Sequence, residues 1–191
     1  MFKSLKVLRL FLYLLILNII FMVNTMADDT KLRTFIEEID KVKANYSEDS
    51  LQFKIPSGFI ATVAAAETGN LEFENAPTAK AANNFFGIHP YGEQEYLATL
   101  KGAKLRKFNS VGDSIAGFLD LIATQDEYQG VRDAIKQGDS IENYFKGMSK
   151  YAARDDYPAF LNKVYKSRIH SIVNPILPKR KPINLQMNSL K

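Results

Sequence analysis

Cysteine is absent from the chain and histidine occurs only twice. The first absence excludes disulfides, thiol catalysis and cysteine-based metal sites, and the second excludes a histidine-rich metal centre. Stability therefore has to come from a packed core, for which 46% hydrophobic and 12% aromatic residues in a chain of 191 are ample. One globular domain with appendages fits that length. No internal repeat is present, and no P-loop, GxSxG or HExxH pattern occurs. The uncharged apolar run from Leu10 to Val23 is short of the roughly 20 residues needed to span a membrane.

That run follows Lys3, Lys6 and Arg9 and precedes Thr25-Met26-Ala27, the basic, apolar, small-residue order of a secretory signal peptide. The pattern predicts a leader over 1–27, cleavage after Ala27 and export of the remainder; an uncleaved leader would anchor the chain to the membrane instead. Charge divides accordingly. The formal net charge is +4, but the three leader cations leave 22 basic against 21 acidic residues. Six more basic residues and no acid lie between Lys166 and Lys191, so the body holds 16 basic against 21 acidic residues. An acidic body with a basic tail argues against a nucleic-acid-binding domain, whose positive charge belongs on the folded part.

The stretch from Pro56 to Gly69 is the centre of the chain. Proline suits a first helical turn and glycine ends helices in the left-handed conformation, which predicts a helix over about 56–68. Ile60, Ala64 and Glu67 recur at spacings of four and three, so Glu67 is expected on the face that points to the core. A carboxyl desolvated there has a raised pKa and can serve as a general acid. An exposed glutamate at a helix end is the alternative on this helix alone.

Ahead of it, Leu32, Phe35, Ile36, Ile39 and Val42 mark one face of an amphipathic helix from about Thr30 to Asn45, and Ser47 to Ser50 break the pattern. Beyond it, Asn75 to Thr78 form a turn and Ala79 to Ala82 hold at most one helical turn. Asn83-Asn84-Phe85-Phe86-Gly87-Ile88 reads as a tight loop, either plugging aromatics into the core or binding a polar ligand. Glu95 to Leu100 and Lys104 to Phe108 read as two short strands about a glycine turn, with Glu93, Glu95 and Leu97 on one face. Ser110 to Asp113 resembles a capping box, and Val111, Ile115, Phe118 or Leu119, and Ile122 supply the stripe of the helix it opens. Short helices follow over Tyr128 to Lys136, stopped by Gly138, and after Ser140, with Ile141, Tyr144 and Phe145 buried. A polar joint over Tyr151 to Tyr157 leads to a last helix with Phe160, Leu161, Val164, Tyr165 and Ile169 as its core stripe. The fold class is mainly α with one small hairpin. The body is expected over 28–173, with a basic, disordered tail over 174–191.

In this order the chain resembles the lysozyme superfamily and, more narrowly, the bacterial glucosaminidase domain, the group that includes the flagellar peptidoglycan hydrolase and the Bax-type exported proteins. Four stretches between Ile55 and about Ile169 carry the resemblance. The family's Ala-x-x-Glu-Ser-Gly appears as Ala64-Ala65-Ala66-Glu67-Thr68-Gly69, and its Asn-Leu-Phe-Gly as Asn84-Phe85-Phe86-Gly87. Lys107-Phe108 before a capped helix, and Tyr151-Ala152 with Tyr157 six residues after Tyr151, complete it. Three departures stand out: Thr68 for Ser, Gly69-Asn70-Leu71 for Gly-Trp-Gly, and Arg154 followed by Asp155 and Asp156 where relatives place Asp.

The resemblance implies a lysozyme-like α+β fold with a small β-hairpin lobe over a helical core. It also implies an exported, cofactor-free and metal-free peptidoglycan hydrolase, monomeric, of the endo-β-N-acetylglucosaminidase type, acting on β-1,4 bonds of glycan strands in the periplasm or outside the cell. Glu67 would protonate the leaving oxygen and Glu95 would be the second carboxylate, with Asn84, Phe86, Gly87, Tyr151 and Tyr157 binding substrate. Carboxyls about 6.5 to 9.5 Å apart would mean a water-activating base, and about 5 to 5.5 Å a nucleophile. Alternatively, the substrate's N-acetyl group would participate, steadied by Tyr151 or Tyr157. A lytic transglycosylase, or an inactive murein-binding protein, are the competing functions.

Overall fold

The computed structural model describes residues 29–74 and 76–174. The leader over 1–27, its cleavage point and nearly all of the basic tail lie outside the described residues. The first helix, α1, covers 29–43 and buries Leu32, Phe35, Ile39 and Val42, the expected face. Ser50 then accepts a hydrogen bond from the Phe53 backbone N–H and caps α2 (Leu51–Lys54), a single turn that the polar break had concealed.

Pro56 is the N-cap of α3 (Ser57–Thr68), and Gly69 closes it in the left-handed conformation at φ 65°. Both ends follow the local chemistry of the sequence. The side of the helix does not. Nine of its twelve residues are buried, from Gly58 to Ala65 and again at Thr68, so α3 is a central helix enclosed all round rather than an amphipathic one. Its polar side chains are accommodated by back-bonding: the hydroxyls of Thr62 and Thr68 donate to the carbonyls of Gly58 and Ala64, both at 2.6 Å.

After α4 (Pro77–Ala81), the antiparallel strands β1 (Tyr96–Ala98) and β2 (Lys104–Arg106) pair Leu97 with Leu105. They are shorter than the sequence suggests. Glu95 precedes β1 and is exposed, as is Glu93, whereas Leu97 is half-buried, so the expected common face is not formed. The hairpin is tied to the helical body by the Arg106 N–H donating to the Ile88 carbonyl and the Phe108 N–H donating to the Ala82 carbonyl.

Ser110 caps α5 (Val111–Thr124) by accepting from the Asp113 N–H at 3.0 Å, and Ile115, Phe118, Leu119 and Ile122 are fully buried beneath it. A 3₁₀ turn (Asp126–Tyr128) leads into α6 (Gln129–Gln137), stopped by left-handed Gly138, and α7 (Ile141–Lys146) follows. The last helix begins as α8 (Tyr157–Val164), widens to a π-turn at Tyr165–Ile169 and ends as α9 (His170–Val173). Helix α3 packs against α7, α8 and the π-turn. Its C-terminal end, with Glu67, emerges between the 83–88 loop and the start of α8. The fold is mainly helical with a two-stranded sheet, the expected lysozyme-like class.

Candidate active site

Glu67 sits one residue before the end of α3, at the point where the enclosed helix reaches the surface, and its carboxyl is partly buried. One oxygen, Oε1, accepts a 2.5 Å hydrogen bond from the Tyr157 hydroxyl at the start of α8. The other faces Gly87. A Cβ placed at Gly87 would lie 3.0 Å from Oε2, and Gly87 has φ 66°, so close approach and backbone conformation both call for glycine there. Burial raises the Glu67 pKa above the ordinary carboxyl range; the Tyr157 hydrogen bond and the positive charge of Arg154 oppose the shift without cancelling it. Burial followed by the charge of Glu67 raises both Tyr151 and Tyr157, keeping each phenol protonated as a donor.

The 83–88 loop is fixed from inside. Asn84 is completely buried; its amide donates to the carbonyls of Ile88 (2.8 Å) and Arg106 (2.9 Å) and its oxygen accepts from the Ile88 N–H (2.9 Å). Phe86 is also completely buried, stacked on Phe118 with centroids 4.3 Å apart. Neither side chain is open to a ligand, which corrects the expectation that Asn84 and Phe86 bind substrate. They hold Gly87 against the carboxylate. The Tyr151 hydroxyl donates to the Phe86 carbonyl, and the Tyr151 ring stacks on Tyr157 at 5.7 Å and 12°. Both phenolic protons are thus committed within the protein, so neither tyrosine is free to donate to an acetamido group. The polar joint is exposed over residues 153–156, while the tyrosines at its two ends support the Glu67 carboxyl.

Beyond α3 the chain turns back on itself. Gly69, Asn70, Leu71 and Phe73 all have left-handed φ, between 57° and 68°. Glycine and asparagine tolerate this, but Leu71 and Phe73 cost on the order of 1 to 3 kcal/mol each. The turn is held by the Leu71 N–H donating to the Thr68 hydroxyl (2.9 Å), the Phe73 N–H donating to the Thr68 carbonyl (2.9 Å), and the Phe73 ring buried edge-on against Phe85 at 4.9 Å. This turn and the end of α3 enclose a cavity of about 260 Å³ lined by Ala66, Glu67, Thr68, Gly69, Glu74 and Ala76.

Glu95 is not among the lining residues. It is exposed on the hairpin and paired with Lys107 at 3.0 Å. Arg154 lies close enough to Glu67 to act on its charge; two hydrogen bonds to Asp156 (2.6 and 2.8 Å) and stacking over Phe160 at 4.4 Å hold it.

The family model of glucosaminidases, described as mannosyl-glycoprotein endo-β-N-acetylglucosaminidase, matches residues 43–170. The chain belongs to the glucosaminidase family. It is therefore a glycoside hydrolase. No curated protein sequence matches the chain. Among solved structures, a peptidoglycan hydrolase from Sphingomonas sp. A1 is similar with TM-score 0.57 and 17% identity, over 77% of this chain and 99% of that one. The catalytic domain of the autolysin Auto from Listeria monocytogenes is similar with TM-score 0.51 and 15% identity, over 75% and 84%. An N-acetylmuramoyl-L-alanine amidase from Staphylococcus aureus gives TM-score 0.55 and 20% identity, over 85% of this chain and 50% of that one. At such identities the likeness is one of fold.

The sequence named Tyr157 only as a substrate-binding residue and did not single out Glu74. Nothing local marks Tyr157 as the hydrogen-bond partner of a residue 90 positions away. Glu74 could have been noticed for its nearness to Glu67, but only the left-handed turn brings it to the same cavity.

Proposed function

We propose that the protein is an exported peptidoglycan hydrolase of the endo-β-N-acetylglucosaminidase type, cleaving β-1,4 glycosidic bonds of murein with Glu67 as general acid. The observation that carries this is the Glu67 carboxyl itself: partly buried, raised in pKa, hydrogen-bonded by Tyr157 and lined by Gly87. Glycoside cleavage needs a proton on the departing oxygen as an oxocarbenium-like centre develops. A desolvated carboxyl whose pKa is raised is suited to supply it. Tyr157 aims the carboxyl, and the missing side chain of Gly87 lets the loop lie against Oε2. Two of the structurally similar proteins are described as a peptidoglycan hydrolase and an autolysin, which supports murein as the substrate.

Such a substrate lies in the cell envelope, in keeping with the leader pattern of residues 1–27 and action in the periplasm or outside the cell. Among the described residues no helix is long and apolar enough to cross a membrane. The decisive experiment is digestion of purified peptidoglycan by the chain beginning at Asp28, compared with Glu67→Gln. The amide keeps the shape of the side chain but delivers no proton, so turnover should fall by roughly 10²- to 10⁴-fold while glycan binding and the circular dichroism spectrum persist. New reducing ends are the expected product. Products ending in 1,6-anhydro sugars would make the protein a lytic transglycosylase, and tight murein binding without soluble sugar would make it a binding protein.

A further inference from the structure

We propose that Glu74 is the second carboxylate of the reaction, the base that activates water for attack on the anomeric carbon; the proposal rests on Glu67 acting as the acid. Among the described residues, Glu67 and Glu74 are the ionisable ones that line the cavity at the end of α3. Its volume of about 260 Å³ exceeds the roughly 30 Å³ of one water several times over. Glu74 is exposed at its edge and, among the described residues, makes no ion pair.

The place itself is fixed by its neighbours. Phe73, immediately before it, is buried against Phe85, and the Ala76 N–H donates to the Phe73 carbonyl at 3.0 Å just after it. The left-handed residues at 69–71 and 73 turn the chain back over the end of α3. Had the helix simply run out into solvent, Glu74 would have been carried away from Glu67. Glu95, by contrast, is exposed on the hairpin and paired with Lys107.

The step balances with one water. Its oxygen bonds to the anomeric carbon while the bond to the leaving oxygen breaks; Glu74 takes the water proton and Glu67 gives its own to the leaving group. Glu67 ends ionised and Glu74 protonated, and solvent exchange restores both. Because water displaces the leaving group in a single step, the product forms with inverted configuration.

The test compares Glu67→Gln, Glu74→Gln, Glu74→Ala and Glu95→Gln in the chain beginning at Asp28, on purified peptidoglycan. Because Glu74 is exposed, its variants should melt with the parent. Glu74→Gln is expected to lower kcat by at least about 10²-fold with KM within about threefold. Sodium azide should rescue Glu74→Ala and yield a glycosyl azide of inverted configuration, identified by mass and proton NMR; a merely structural residue would show no such rescue. Glu74→Gln at near-parental rate beside an inactive Glu67→Gln overturns the base assignment while leaving the acid in place. The same result with Glu95→Gln inactive assigns the base to the hairpin. A fully active Glu67→Gln overturns the site as a whole, and this proposal with it.

Discussion

At Glu67 two opposing influences meet. Burial favours the neutral acid, whereas the Tyr157 hydroxyl and the Arg154 guanidinium favour the carboxylate, and burial is the larger. The sign of the pH dependence follows. A carboxyl whose pKa is higher in the folded than in the unfolded state contributes stability fully below its unfolded value and loses it as pH rises through the folded value. Glu67→Gln, which cannot ionise, should therefore melt like the parent at pH 3 to 4 and above it at pH 8, as thermal scans across that range would record. Tyr157→Phe removes an influence that lowers the Glu67 pKa, so the alkaline limb of the activity profile should move to higher pH. With the carboxyl less well aimed, kcat should fall about tenfold while KM changes little. An unmoved alkaline limb would mean that Tyr157 supports the site by packing alone.

Among the elements, the 83–88 loop depends most on a single side chain. Asn84→Ala deletes three hydrogen bonds in a place with no access to water and leaves backbone groups of Ile88 and Arg106 without that partner. Unfolding in urea should show a loss of about 2 to 4 kcal/mol. Activity should fall with it, because Gly87 is then no longer held against Glu67. How far each element could be foreseen depends on how local its cause is. The ends of α3 and the cap of α5 were legible because Pro56, Gly69 and Ser110 act on their own backbone. The burial of α3 on every side was not, because alanine gives no indication of which face is covered. Residue alternation placed Glu95 with Leu97, but β1 begins only at Tyr96 and Lys107 draws Glu95 to the surface. The Asn-x-Phe-Gly pattern pointed to the right loop while misassigning its side chains to the ligand, since the same polar and aromatic residues serve equally to lock a turn.

For the molecule as a whole, the buried cluster extends from Leu32 in α1 to Ile172 in α9. Removing 174–191 should accordingly shift the thermal midpoint by no more than about 2 °C, and a larger drop would show that the tail contributes to the fold. We expect N-terminal sequencing of the envelope fraction to begin at Asp28; recovery of Met1 would mean a retained membrane anchor. The acid and the phenol that aims it are 90 residues apart, and the loop carbonyl beneath them is gripped by Tyr151, 65 residues beyond Phe86. A chain still emerging from the ribosome, or clipped ahead of α8, lacks Tyr157 and holds Glu67 without that hydrogen bond. On the proposed reading of Glu67 as the acid, chain order alone thus delays activity until α8 has docked.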